Sequence, residues 1–388
     1  MARKPKIDRF NEAVRSKFQI YNSLFLTLPF DSIKKTSLML PLFKEYCISG
    51  YNRGNNPENI INTFFSEILP EYTIEQKNEL MFHFIQYIER QIVLFDAIED
   101  AGFSYVNNMH GRGTLRYIKE EAISSNNLNS LREYLNNFRV RIVLTAHPTQ
   151  FYPDTVLGII NDLSKSINSG SLDTIKKLLN QLGRTRFYQN KKPSPYDEAT
   201  SLIWYLENVF YHSAGNIVNY LNENIFEGNK LNNSIFDFGF WPGGDRDGNP
   251  FVTPEITLKT AEKLKHSILR NYYRSLRSLK RKVTFDGVYD KVEDLENKVY
   301  RSLFNPSRQA ITLLHMKTEL DNIYKLIIKK YDGLYADLVL DLIHKVKLFG
   351  FYFASLDLRQ DSSIHYTVFN HIINHNQIKK QLSDESSK

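Results

Sequence analysis

Cysteine is nearly missing: Cys47 is the only one in 388 residues. That excludes a disulfide framework and any cysteine-built zinc site, and it fits a reducing compartment. Nowhere do 18 uncharged apolar residues follow one another, so no membrane span is expected. The opening Met-Ala-Arg-Lys-Pro-Lys-Ile-Asp carries basic side chains with no apolar stretch behind them. No export signal is therefore expected, and the cytoplasm is the expected location. Internal repeats and low-complexity tracts are also absent, because the Asn-rich patches 126–137 and 222–233 read as loops or helix ends. What is present is globular in kind: 42% hydrophobic, 24% charged and 13% aromatic residues exclude a disordered or collagen-like chain. The length is ample for a substantial buried core.

Lysine plus arginine number 50 against 43 aspartate plus glutamate, a net charge of +7. The excess is local. Between Thr253 and Lys282 stand nine basic residues and only Glu255 and Glu262. Ile256, Ala261, Leu264, Ile268, Tyr272, Leu276 and Leu279 recur there at helical spacing, so the basic residues fall mostly on the outer face of a long helix. Such a face is either simply solvated or a binder of anions or nucleic acid, although no recognisable nucleic-acid module accompanies it.

Helical periodicity dominates the chain. Thr73 and Gln76 form a capping-box pattern, Met81, Phe84, Ile88, Ile92, Phe95 and Ile98 mark one face, and Gly102 supplies a stop. Further helices are predicted over residues 10–27, 56–69, 117–123, 154–169, 197–224, 292–303 and 310–330. No clear domain boundary emerges. The expected organisation is one incomplete domain over 1–388, with a helical region 1–135, barrel strands with long helical insertions over 136–375, and a polar tail 376–388.

Three stretches depart from the helical period and share one design, an apolar run followed by a polar turn and a helix. The first runs from Phe138 to Thr145 and ends in Ala-His147-Pro-Thr149. The second runs from Phe236 to Trp241 and ends in Pro-Gly-Gly-Asp-Arg-Asp-Gly-Asn-Pro250. The third, Leu348 to Leu358, ends in Arg359-Gln-Asp-Ser362. Strands separated by long helical passages cannot pair as hairpins, and the natural solution is a parallel sheet with helices outside it. The fold class expected is predominantly α-helical with a partial parallel β-barrel, the N-terminal part of a helix-elaborated TIM-like (β/α)8 barrel. Polar residues at the C-terminal ends of such strands are where barrel enzymes place their chemistry.

Each strand end can carry chemistry. Pro148 forces His147 into an extended backbone, and an imidazole with a pKa of about 6.5 can accept a proton or bond an oxyanion. The second turn has Asp245, Asp247 and Asn249 at the alternation of a calcium loop, but Pro250 and Ile256 stand where such a loop needs glycine and glutamate. Its glycines suit a close approach of backbone N–H groups to an anion, with Arg246 directed by two aspartates, unless the network merely holds the turn. In the third strand, alternation puts Phe353, Ser355, Asp357 and Arg359 on one face. A guanidinium oriented by Asp357 would be a phosphate or carboxylate receptor, or a structural ion pair.

The motifs LTAHPT (144–149), WPGGDRDGNP (241–250) and LDLRQDS (356–362) together resemble the phosphoenolpyruvate carboxylase family, supported by KPSPYDEA (192–199) and YIERQIVLFDAIEDAGF (87–103). The resemblance runs from about residue 70 to 370. It implies carboxylation of phosphoenolpyruvate by bicarbonate to oxaloacetate and phosphate, with Mg2+ or Mn2+ as cofactor and a homotetrameric assembly, and without nucleic acid or membrane partners. By motif position it assigns His147 and Arg359 as catalytic residues and Trp241, Arg246 and Asp247 to the substrate side. Family members are more than twice as long, and their later half carries the metal-binding carboxylates, so the chain is expected to be an N-terminal portion, inactive alone. A non-catalytic helical scaffold, or an anion or nucleic-acid binder using residues 253–282, is the alternative.

Overall fold

A computed structural model describes residues 5–27, 36–106, 113–145, 154–185, 187, 193–227, 231, 233–304 and 311–375. His147 and the tail 376–388 lie outside the described residues. In chain order the elements are α1 (Lys6–Thr27), α2 (Thr36–Asn52), α3 (Pro57–Ile68), α4 (Ile74–Val106), α5 (Leu115–Ser124), α6 (Leu128–Asn137), β1 (Val140–Leu144), α7 (Asp154–Ser169), α8 (Leu172–Arg184) and α9 (Pro195–Tyr205). Then follow α10 (Tyr211–Tyr220), β2 (Phe236–Phe240), α11 (Pro254–Lys280), α12 (Tyr289–Phe304), α13 (Leu313–Lys330), α14 (Ala336–Phe349), β3 (Ser355–Leu356) and α15 (Ser362–His375). Wide π turns at Leu206–Phe210 and Leu221–Phe226 flank α10, so residues 195–226 form one nearly continuous helical run. No helix among the described residues is long and apolar enough to cross a membrane.

The chain divides into two compact units. In the first, from residues 1–114 and 150–191, α4 is the axis. Its capping box forms as the sequence predicts, with Thr73 N–H bonded to Gln76 Oε1 at 3.0 Å and Gln76 N–H to Thr73 Oγ1 at 3.3 Å. Val93, Leu94, Ala97 and Ile98 pack against Val156, Ile159 and Leu163 of α7 and Ile175, Leu179 and Leu182 of α8. Arg90 is buried in this core yet satisfied, because Nη1 donates to Gln86 O at 2.8 Å, Nε to Leu182 O and Nη2 to Thr185 O. The last two carbonyls close α8, where a cation meets the negative end of a helix.

The second unit, from residues 115–149 and 192–388, contains the sheet. Its order is β1-β2-β3, all parallel, with Arg141 opposite Asp237, Leu144 opposite Phe240 and Phe240 opposite Leu356. Phe238 and Phe240 turn to one side and are buried with Tyr211, Phe349 and Phe353. Phe238 lies 5.5 Å from the Phe210 ring and 5.4 Å from Phe349. The alternation of β2 sends Asp237 and Gly239 to the opposite side, with Arg141 beside them.

The third strand is much shorter than predicted. Leu348 and Phe349 finish α14, Gly350 (φ 54°) and Phe353 (φ 64°) bend the chain, and only Ser355 and Leu356 join the ladder. The apolar run is buried because it packs a turn against α11, and periodicity cannot separate a buried turn from a buried strand. Phe353 therefore faces the core and not the strand face shared by Ser355 and Asp357. Residues 126–137, expected as loop or helix end, form α6 over most of their length.

Tyr272 of α11 anchors that bend. It is fully buried and its hydroxyl donates to Gly350 O at 2.7 Å; burial pushes its pKa well up, so it remains a donor. Tyr272→Phe leaves that carbonyl unmet and is expected to lower stability by about 1–3 kcal/mol, and an unchanged urea midpoint contradicts this. A second polar cluster titrates. His344 Nδ1 contacts Asn219 Oδ1 at 2.7 Å, Asn219 donates to Asp341 Oδ1 at 2.6 Å, and Lys345 closes on Asp341 Oδ2 at 2.7 Å. Burial first, then Lys347, holds the His344 pKa down to about 4 from 6.5. Its stabilising contribution is complete above about pH 6.5 and is lost as pH falls toward 4. Stability is expected to decline across that window, and His344→Gln to flatten the decline; identical profiles contradict the assignment.

Candidate active site

The ladder between β1 and β2 continues one step past the strands, where Trp241 N–H donates to Leu144 O at 3.0 Å. The chain then turns tightly: Gly244 and Asp245 N–H both reach Trp241 O at 2.8 Å. Two glycines are required. At Gly243 (φ 78°) a Cβ would overlap the Thr260 hydroxyl of α11, and at Gly244 it would overlap the Asp357 carbonyl oxygen. With no side chain at Gly244, two backbones meet: Arg359 N–H donates to Gly244 O at 3.1 Å and Arg246 N–H to Arg359 O at 2.9 Å. Asp245 and Arg359 thus form a parallel bridge beyond the strands. Thr253 caps α11 through Ile256 N–H with Pro254 in first position. One turn on, Thr257 Oγ1 donates to Gly243 O at 2.7 Å and fixes the turn to the helix.

Across these ends runs a connected set of charged groups. Arg359 Nη1 donates to Asp245 Oδ2 at 2.8 Å, and its guanidinium carbon lies 3.9 Å from the Trp241 ring centroid. Trp241 Nε1–H donates to Asp357 Oδ2 at 3.2 Å. Asp357 Oδ1 takes Arg141 Nη2 at 2.6 Å, while Arg141 Nη1 reaches Asp237 Oδ2 at 2.9 Å. The hydrogen bond that Arg141 donates to the Asp357 carboxylate raises the Arg141 pKa. Arg359 is held on one face by an indole and at one nitrogen by a carboxylate, yet its side chain is 40% exposed. Its Nε and Nη2 groups bond no described residue. A guanidinium fixed this way presents paired N–H donors to a planar or tetrahedral oxyanion.

Of the residues assigned by motif position, Trp241 and Arg359 are in contact, joined by Asp245, which was not among them. Asp357 does not orient Arg359: it faces Arg141 and Trp241, and Asp245 holds Arg359. The sheet register decides this, since Asp357 shares a face with Gly239 and Arg141. Arg246 is not clamped between aspartates. Its Nη2 donates to Thr257 Oγ1 at 3.2 Å and its enclosed Nε meets no described partner. Asp247 is exposed, with its own N–H on Asp245 Oδ1 at 3.2 Å. His147 lies outside the described residues, three positions past Leu144, the last residue of β1. Arg141 and Asp237 were missed. Their signal is opposite charge at corresponding places in two strands, which only the register reveals.

The carboxylates at this end do not suit a divalent cation. Asp237, Asp245 and Asp357 each bond a guanidinium, and among the described residues no three His, Cys, Asp or Glu are grouped to hold a metal. The basic face of α11 is partly neutralised nearby: Lys259 pairs with Glu255 at 3.0 Å, and Lys280 with Glu293 and Glu296. That arrangement favours a solvated face over a continuous cationic track for an anionic partner.

A family model described as phosphoenolpyruvate carboxylase matches residues 80–331 and 301–388. The chain is similar to the phosphoenolpyruvate carboxylase of Shewanella oneidensis, 26% identical over 279 residues, 60% of this chain and 32% of that protein. It is also similar to that of Prochlorococcus marinus subsp. pastoris, 27% identical over 333 residues, 66% of this chain and 34% of that protein. The phosphoenolpyruvate carboxylase of Aeromonas salmonicida is 26% identical over 277 residues, 60% of this chain and 32% of that protein. The chain spans about a third of the length of the curated relatives it matches.

Gly244 offers a direct check on the strand-end geometry. Gly244→Ala places a methyl group into the Asp357 carbonyl, which cannot retreat without breaking the bridge to Arg359. A loss of about 1–3 kcal/mol in urea unfolding is expected, with Trp241 fluorescence altered in the folded baseline. Parental stability and fluorescence contradict the close approach.

Proposed function

The chain belongs to the phosphoenolpyruvate carboxylase family, and from that premise we propose that the ends of β1, β2 and β3 form part of a site where phosphoenolpyruvate is carboxylated by bicarbonate to oxaloacetate. The observation that carries this reading is Arg359, held between Asp245 and the Trp241 ring at the C-terminal end of a parallel sheet, with Nε and Nη2 donors that bond no described residue. Three neighbouring parallel strands with long helical passages between them suit the start of a (β/α)8 barrel wall. The polar face of Arg141, Asp237 and Asp357 would then look inward.

In this reading Arg359 takes phosphate oxygens of phosphoenolpyruvate. A bicarbonate oxygen attacks phosphorus as the bond to the enolate oxygen breaks, giving carboxyphosphate and the enolate. Carboxyphosphate splits into phosphate and carbon dioxide, and the enolate carbon attacks that carbon dioxide. Negative charge grows on phosphoryl and enolate oxygens, where fixed cationic donors stabilise the transition state more than the ground state. His147 assists at carboxyphosphate by holding or moving its proton. The Trp241 ring lines the apolar place that receives carbon dioxide, and Arg246 and Asp247 belong to the turn beneath it. The family generally needs a divalent cation, Mg2+ or Mn2+, which neutralises phosphoryl charge when bound. The described carboxylates do not fit it and are assigned no part in holding it. The same reading carries a cytoplasmic homotetramer with it.

Binding tests the phosphate assignment. Phosphorus NMR titration of phosphoenolpyruvate into the protein is expected to report binding that Arg359→Ala weakens by about 100-fold, the size of a lost oxyanion donor, with helix content by circular dichroism unchanged. Equal affinity removes Arg359 from the phosphate. In an active assembly carrying this chain, His147→Asn is expected to abolish oxaloacetate formation, and retained turnover removes His147 from the chemistry.

A further inference from the structure

The polar side of the sheet contains an arginine that no sequence motif singled out. Arg141, the second residue of β1, bridges to the other two strands, with Nη1 on Asp237 of β2 at 2.9 Å and Nη2 on Asp357, just past β3, at 2.6 Å. The span is possible because the central strand has a glycine where the guanidinium crosses it. A Cβ at Gly239 would stand 3.1 Å from Arg141 Nε and 3.1 Å from Asp357 Oδ2, closer than most Cβ contacts. Asp357, fixed at one oxygen by Arg141, uses the other to accept Trp241 Nε1–H. The Trp241 ring in turn lies against the Arg359 guanidinium.

We propose that Arg141 is a positioning residue for phosphoenolpyruvate: through Asp357 it fixes the Trp241 ring, and through that ring the guanidinium of Arg359. This rests on the functional reading of the same site. Stability is not the reason for the pair. Arg141 is 42% exposed at its side chain, and exposed ion pairs add little to folding because water screens them and long side chains lose freedom. Orientation is what the bridge supplies. A carboxylate that accepts two directed donors cannot swing, so the indole N–H has one fixed acceptor. A flat ring anchored at its nitrogen then offers one face to a guanidinium. Without Arg141, Asp357 would turn toward water and Trp241 could rotate. A misplacement of this kind, remote from the reacting atoms, still costs binding and rate.

Tryptophan fluorescence separates this from a merely structural role. The chain has two tryptophans, Trp204 and Trp241, so Trp204→Phe leaves Trp241 as the sole reporter. In that background Arg141→Met is expected to shift the emission to the red and to increase quenching by acrylamide, with circular dichroism unchanged. Arg141→Lys keeps the charge but reaches only one carboxylate, and is expected to fall between. Gly239→Ala, which crowds the bridge without removing a charge, is expected to follow Arg141→Met. Phosphoenolpyruvate affinity by phosphorus NMR is expected to fall about tenfold in Arg141→Met. Unchanged emission and quenching in both Arg141 variants overturns the proposal, as does a shifted Trp241 signal with parental affinity when Arg359→Ala has lost binding. Parental affinity in Arg359→Ala overturns the functional reading and this residue's substrate role with it. The Trp241 spectra tell that failure apart from a broken coupling.

Discussion

Two backbones touch where glycine lets them. The carbonyl of Gly244 accepts from Arg359, and the amide of Arg246 donates back to the Arg359 carbonyl. No side chain other than hydrogen fits at Gly244, because the Asp357 carbonyl already occupies the space. This exchange extends a two-residue strand by one more parallel bridge. It sets Asp245 beside Arg359, and it brings the segment from residue 357 to 359 over the indole of Trp241. Thr257 and the first turn of α11 brace the turn from behind, so an element that is mostly loop acquires the rigidity of a helix.

The sheet divides its labour by face. On one side the phenylalanines of β2 enter an aromatic cluster with Tyr211, Phe349 and Phe353, and burial of that size fixes the register of the strands. The other side is free to carry charge because it is not needed for the core. Register then does chemical work. Since Phe240 lies opposite both Leu144 and Leu356, Arg141, Asp237 and Asp357 must meet on the polar face. A slip of one residue in any strand would send one of them into the aromatic side.

Much of this was legible from residue order, and the failures have physical reasons. The capping box at Thr73 and the cap at Thr253 are local interactions among residues three apart, so the chain announces them directly. The parallel arrangement followed from strands that long helices keep apart. The length of β3 was not legible, because Leu348 to Ala354 is apolar for the sake of a buried bend, and a positive φ at Phe353 leaves no mark in composition. The partners of the charged groups were hidden for a different reason. Asp357 and Arg359 are neighbours by alternation, yet Arg141 and Asp245, more than a hundred residues upstream, take them. Only the register of the assembled sheet selects those pairings.

In the proposed function the Arg359 guanidinium, held by Asp245 and Trp241, receives phosphate at the strand ends. A crystal structure of the protein with phosphoenolpyruvate tests it most directly. Phosphate oxygens are expected within about 3 Å of Arg359 nitrogens, with the indole still against the guanidinium and Asp357 still bridged to Arg141. A ligand seated elsewhere, or Arg359 turned away from the phosphate while it remains bound to Asp245, would contradict it.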